Sequence, residues 1–134
     1  MKKLLCAFVA VAFLAAVAGA ATPEDLKAAQ DTADKMFKAI ADKDFDKYKE
    51  TVSAKRLAEY TANAENCAMK RWYDTARDEI DKHGAKWVFV KVKTNFPAQT
   101  DLDYERTMDT GKTTCTINLV KEGDKWLVDA AGSI

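Results

Sequence analysis

The 134 residues carry 21 Lys and Arg against 21 Asp and Glu, so the formal net charge is zero, and there is one histidine. That length fits one domain, and the balance leaves no basic field for nucleic acid and no like-charge tail. A single histidine with three dispersed cysteines makes no ligand-spaced metal cluster, and no glycine-rich phosphate loop is present, so no metal and no other cofactor is implied.

The chain opens with a leader. Met1-Lys2-Lys3 is a positive n-region, Leu4 to Val17 is an unbroken apolar run, and Ala18-Gly19-Ala20 is a small-x-small cleavage site. The apolar run is short for a membrane span and no stop-transfer pattern follows, so no span is expected after cleavage. The expected division is a signal peptide over residues 1–21 and one domain over 22–134. A short leader with only lysine at its start looks bacterial, which makes the destination the periplasm or the exterior. Cleavage near Ala20 or Ala21 removes two lysines and no acid, leaving 19 basic against 21 acidic residues, a net charge of −2. Cys6 leaves with the leader, so Cys67 and Cys115 remain in an oxidising compartment, where a pair of cysteines is expected to bridge.

Helix signals come next. Thr22-Pro23-Glu24-Asp25 supplies an N-cap, a proline at the first helical position and acids for the dipole. Leu26, Ala29, Ala33, Met36, Phe37 and Ile40 then share one stripe at helical spacing. Asp42-Lys43-Asp44 breaks the pattern. Asp44 caps a short second helix with Phe45, Tyr48 and Val52 inward, and Ser53 caps a third that runs to Gly84. The third stripe drifts. Leu57, Tyr60, Ala64 and Cys67 share one side; Met69, Trp72, Ala76 and Ile80 share another, roughly a third of a turn away. That predicts a bend, or two helices, broken between Asn63 and Asn66. The Cys67–Cys115 bridge depends on that bend; without it Cys115 is a small buried hydrophobe.

Four strands follow, at residues 86–93, 101–108, 113–120 and 125–130. Each is rich in β-branched and aromatic residues, alternates with period two, and is bounded by turn residues. A turn at Gly123-Asp124 sets Leu119 opposite Val128 and Ile117 opposite Ala130. A turn at Thr110-Gly111 sets Tyr104 opposite Ile117 and Leu102 opposite Leu119. A longer turn around Pro97 sets Val90 opposite Tyr104 and Val92 opposite Leu102. The three registers agree on one apolar face that includes Val88, Val90, Val92, Leu102, Tyr104, Met108, Cys115, Ile117, Leu119, Trp126 and Val128. They also oppose Lys91 to Asp103 and Lys93 to Asp101 on the other face.

The segment Ala39-Ile40-Ala41-Asp42-Lys43-Asp44-Phe45-Asp46 and the run Leu119-Val120-Lys121-Glu122-Gly123-Asp124-Lys125-Trp126-Leu127-Val128 resemble the nuclear transport factor 2-like superfamily, most of all its small secreted bacterial domains of unknown function. The resemblance implies an α+β cone, in which N-terminal helices pack against a curved four-stranded antiparallel meander, often with a pocket at the open end. Members include steroid isomerases, dehydratases, epoxide hydrolases and binding modules without activity. The strand that many members carry between the second and third helices is not evident here.

Few residues bear chemistry. His83 stands at a helix end beside Gly84, where capping or exposure accounts for it. Asp101, Asp103 and Glu105 alternate on the outward face, whereas the isomerases that the resemblance brings in use an inward carboxylate with a tyrosine. No catalytic residue is therefore assigned. Arg106 and Tyr104 both point inward. A buried arginine is rare unless paired, so Arg106 is expected either to snorkel out of the cone mouth or to hold a carboxylate, of a helix acid or of an anionic ligand. Tyr60, Trp72 and Trp126 are candidates to line the same space. Parity turns Trp87 and Phe89 outward with Val120 and Leu127, a patch that suits a partner or a homodimer through the sheet. The resulting expectation is a secreted, non-catalytic binding or interaction module for a small apolar or anionic ligand. An isomerase- or dehydratase-type enzyme is the alternative, and an inward acid or histidine beside Tyr104 in a real pocket would favour it.

Overall fold

A computed structural model of the chain describes residues 19–132. Most of the expected leader, with Cys6, lies outside the described residues. Four helices come first: α1 (Pro23–Ala41), α2 (Phe45–Lys49), α3 (Ala54–Ala62) and α4 (Ala68–His83). Four strands follow: β1 (Lys86–Phe96), β2 (Gln99–Met108), β3 (Gly111–Glu122) and β4 (Lys125–Gly132). They form one antiparallel sheet in the order β1-β2-β3-β4. The fold is an α+β open meander with its helices on one face.

The caps act where the sequence places them. Thr22 Oγ1 accepts from the Asp25 N–H at 3.1 Å, and the Asp25 carboxylate accepts from the Thr22 N–H, closing a capping box. At the far end Lys43 takes φ 57°, and the N–H groups of Asp44 and Lys43 turn back to the carbonyls of Ala39 and Ile40. This is the left-handed helix ending usually given to glycine. Asp44 caps α2 and Ser53 caps α3. The drifting stripe resolves as two helices, with the break between Ala62 and Ala68.

Ala29, Ala33, Met36, Phe37 and Ile40 of α1 form one buried cluster with Leu102, Tyr104, Ile117, Leu119, Trp126 and Val128 of the sheet. The small side chains at Ala29 and Ala33 let the helix approach the strands closely. α4 packs chiefly on α1 and α3, not on β3.

That packing corrects the expected bridge. Cys67 and Cys115 are both free and both buried. Cys67 occupies the N-cap position of α4, with its Sγ 3.9 Å from the Ala64 carbonyl oxygen. Cys115 lies under α1's face of the sheet, paired across from Tyr104. The argument for a disulfide required the third helical segment to cover Cys115; α1 takes that place.

The registers are right in parity and partly wrong in step. Leu119 opposes Val128 as expected, but a bulge between Asn118 and Leu119 sets Ala131, not Ala130, opposite Ile117. The β2–β3 turn falls on Asp109-Thr110, so Tyr104 faces Cys115 and Leu102 faces Ile117, two positions from the expected partners. An even shift keeps every side chain on its face, and the apolar face survives.

β1 carries the larger correction. Val92 opposes Leu102 and Lys91 opposes Asp103 as expected, but a bulge between Phe89 and Lys91 reverses the parity of everything before it. Trp87 now opposes Arg106, and Phe89 opposes Tyr104. Val88 and Val90 turn out to solvent at 63% and 53% exposure, while Trp87 and Phe89 pack on the core. Trp87 and Phe89 therefore do not belong to an outward patch. A second irregularity between Val92 and Thr94 places Thr94, not Lys93, opposite Asp101.

The free edge of β4 is covered. Val52 forms a parallel bridge to Val128, the Ser53 N–H donates to the Val128 carbonyl at 2.9 Å, and the Val128 N–H donates to the Thr51 carbonyl at 2.7 Å. This short contact lies between α2 and α3, where the sequence shows no strand.

Candidate functional site

The residues expected to share a pocket divide into four places. Trp126 is 3% exposed and lies over the start of α1, where its indole N–H donates to Asp25 Oδ1 at 3.1 Å. Lys121 Nζ reaches the same oxygen at 3.1 Å. The Trp126 bond is the largest contribution holding the Asp25 carboxyl below the usual carboxylate range. Tyr60 joins Phe45, Tyr48 and Tyr73 in an aromatic cluster between the helices, with Lys49 Nζ 6.0 Å from its ring centre. Trp72 lies under the Arg56 guanidinium, 5.4 Å away. Tyr60 and Trp72 make packing contacts, and Trp126 also lines the open groove between α1, α2 and the β3–β4 turn.

Only Tyr104 and Arg106 remain together, on the inward face of β2. Tyr104 is fully buried, its hydroxyl donating to Asp34 Oδ1 at 2.7 Å. Burial, reinforced by Asp34, drives its pKa far above that of free tyrosine. Phe37 and Phe89 close on its ring with centroids at 5.1 and 5.7 Å. Cys115 lies beside it; burial pushes that thiol up to about 11, and the Arg106 charge partly opposes the rise.

Arg106 has no helix acid. It enters none of the ion pairs among the described residues, and its Nε is buried without a hydrogen-bond partner there. The indole Nε1 of Trp87, its partner across the strand pair, is buried and unpartnered in the same way. Trp87 is held by Phe37, stacked at 5.0 Å and 11°.

Two concavities border these elements. A cleft of about 520 Å³ is lined mainly by apolar groups, among them Phe37, Ala41, Ile80, Ala85 and Trp87. An open groove of about 900 Å³ runs between α1, α2 and the β3–β4 turn, with Lys35, Lys38, Asp42, Glu50 and Leu127 among its walls. The space between α1 and the sheet is filled by the side chains of the core.

Elsewhere the polar groups are structural. His83 Nδ1 lies 2.9 Å from Asp109 Oδ1, and the Asp109 N–H donates to the His83 carbonyl, clipping the β2–β3 turn to the end of α4. Asp101 accepts from Thr94 and Asn118, and Asp103 accepts from Thr116. Val120 and Leu127 are half-buried on their strands. Among the described residues no group of three His, Cys, Asp or Glu is placed to hold a metal, and no helix is long and apolar enough to cross a membrane.

Of the residues around Tyr104 and Arg106, Asp34 was not picked out by sequence reasoning, Phe37 was read only as core, and Trp87 was read as part of an outward patch. Asp34 looks like an ordinary solvated position of α1. For Trp87 a signal exists: in the first half of β1 the two aromatics, Trp87 and Phe89, share one parity and the valines share the other, a conflict that a bulge resolves.

No family model matches the chain, and no curated protein matches it. A solved structure does: a protein of unknown function with a cystatin-like fold from Nostoc punctiforme PCC 73102, at a TM-score of 0.58 and 9% identity, covering 84% of this chain and 91% of that one. At that identity the likeness concerns architecture alone, and it places these helices and this sheet in the cystatin-like cone fold, the type to which nuclear transport factor 2-like proteins also belong.

Proposed function

We propose that the protein is an exported, non-catalytic binding module of the bacterial periplasm that takes a small apolar or anionic ligand beside Trp87. The observation that carries this reading is the pair of buried donors, Trp87 Nε1 and Arg106 Nε, for which the described residues supply no acceptor. A buried donor left without an acceptor costs roughly 1–3 kcal/mol, more when charged, so such a pair is a feature that a ligand would repay. The apolar cleft lined by Trp87 supports the same reading. Export rests on the leader residues.

The geometry counts against the isomerase or dehydratase alternative. The carboxylate beside Tyr104 is Asp34, which stands on an exposed position of α1, while the tyrosine ring is enclosed by Phe37 and Phe89. A base for carbon acids needs a sequestered approach to substrate, and the filled core offers none. Self-association through the outer sheet face remains part of the reading, now carried by Val88 and Val90 with Val120 and Leu127 rather than by Trp87 and Phe89.

Native mass spectrometry of protein purified from its own envelope tests the module. A mature chain beginning near Ala21 and carrying a small-molecule adduct or a defined partner is the expected result. A retained leader, or a bare chain with turnover on steroid-like or hydroxy-acid substrates, would overturn it.

A further inference from the structure

The inward face of β2 reads Leu102, Tyr104, Arg106 from the core toward the sheet end near α4. The first is fully apolar and enclosed, and the second spends its hydroxyl on Asp34. The third is a cation whose Nε lies in the interior with no acceptor. Directly opposite residues on antiparallel strands hold their Cβ atoms about 5 Å apart, so the Trp87 and Arg106 side chains rise from one spot. Both present an N–H to the protein interior. Charged acceptors nearby are excluded by placement: Asp34 is engaged by Tyr104, and Asp103 is on the opposite face with Thr116.

Trp87 has a second role. Its indole lines the apolar cleft with Phe37, Ala41 and Ile80. Trp87 is therefore both a wall of the apolar recess and the cross-strand partner of Arg106. A guanidinium with an adjacent N–H suits the planar, two-oxygen geometry of a carboxylate better than a single point acceptor.

We propose that this corner of the cone is a binding site for a small monocarboxylic acid, its carboxylate accepting from Trp87 Nε1 and Arg106 Nε and its short hydrocarbon tail lying in the cleft beside Phe37 and Ile80. The proposal rests on the binding-module reading and specifies its ligand class. The donors supply orientation and charge selection. The cleft supplies selection for an apolar tail, worth about 0.8 kcal/mol for each methylene buried, or roughly fourfold in affinity.

The test uses the mature chain with sodium hexanoate, acetate and chloride, and with hexanol, read by calorimetry and by thermal unfolding at matched ionic strength. Hexanoate is expected to bind and stabilise, acetate more weakly, chloride and hexanol little. Trp87→Phe and Arg106→Met each remove one donor and keep an apolar side chain, and each is expected to weaken hexanoate about tenfold or more, the loss expected for a charge-assisted hydrogen bond. If Arg106→Met does not fold, Arg106→Lys, which keeps the charge and loses Nε, takes its place with the same expectation. Chloride as effective as hexanoate, hexanol as effective as hexanoate, no response to any of the four, or undiminished binding in the variants would each overturn the site. A ligand carried from the envelope and retained equally by the variants would overturn this site and leave the module reading standing.

Discussion

Asp25→Ala should destabilise the protein by about 2–4 kcal/mol. In the folded chain one carboxylate serves three donors: the Trp126 indole, the Lys121 ammonium and the Thr22 backbone N–H. Removing it strands the indole N–H of a residue that is only 3% exposed, at a cost of roughly 1–3 kcal/mol. The Lys121 pair adds less, about 0.5 kcal/mol, because its side chains are 33% and 22% exposed. The lost half of the capping box adds a further ~0.5–1 kcal/mol. Asp25→Asn keeps an oxygen for Trp126 and forfeits mainly the charge, so about 1 kcal/mol is expected.

The same group sets an acid limb. Its folded pKa is lowered, so the stability it contributes is complete above the unfolded value of 3.8 and is lost as pH falls through the folded value. Urea unfolding followed by tryptophan emission and far-ultraviolet circular dichroism gives both quantities, and Asp25→Asn should flatten the wild-type decline on the acid side of about pH 4. An Asp25→Ala loss below about 0.5 kcal/mol, within the range of an ordinary surface change, would refute the reasoning. So would equal losses for Ala and Asn.

Lys43 holds a left-handed conformation at the end of α1, and Lys43→Gly should raise stability by about 0.5–1 kcal/mol in the same urea assay. Oxidised protein, unfolded under non-reducing conditions, should titrate two thiols, while in the folded state Cys115, with its pKa at about 11, should resist thiol reagents at neutral pH. Trp87→Lys should cost about 3 kcal/mol or more through the lost Phe37 stack and a buried charge, whereas Val88→Lys should stay within about 0.5 kcal/mol, and thermal melts of the pair decide which residue faces the core.

The parts of the fold legible in sequence are those fixed by local chemistry. Thr22, Asp44 and Ser53 announce helix starts because their side chains satisfy N–H groups within three residues. The break before Cys67 shows as a rotated stripe because a helix cannot turn its apolar side midway without bending. Parity in β2, β3 and most of β4 follows from period-two alternation against one buried face. Step is less legible: moving the β2–β3 turn by one residue at each end changes every partner and no face. The bulges show at most indirectly, as the parity conflict in β1 between its aromatics and its valines, and the one at Phe89–Lys91 reverses the reading of Trp87 and Phe89. The site was half legible for the same reason. Arg106 and Tyr104 stand out as polar groups on an apolar face, but Asp34 matters only because β2 passes beneath that turn of α1, a tertiary fact.

That bulge also decides which residue of β1 stands opposite Arg106. With unbroken alternation Val88 and Val90 would line the core beside Arg106 and Tyr104, giving the guanidinium an aliphatic neighbour and leaving Trp87 and Phe89 to solvent. One extra residue at Val90 exchanges the two sets: the valines become the exposed ones and the aromatics close over α1's Phe37. The core gains two rings, each worth several valine methyls in buried area. Arg106 acquires Trp87 rather than a valine as its cross-strand neighbour. Both residues bring donors and no acceptor, so neither satisfies the other. The exchange thus stabilises the aromatic core and at the same step concentrates unsatisfied donors at one corner, which is the arrangement expected where stability has been given up locally to hold an acceptor from outside.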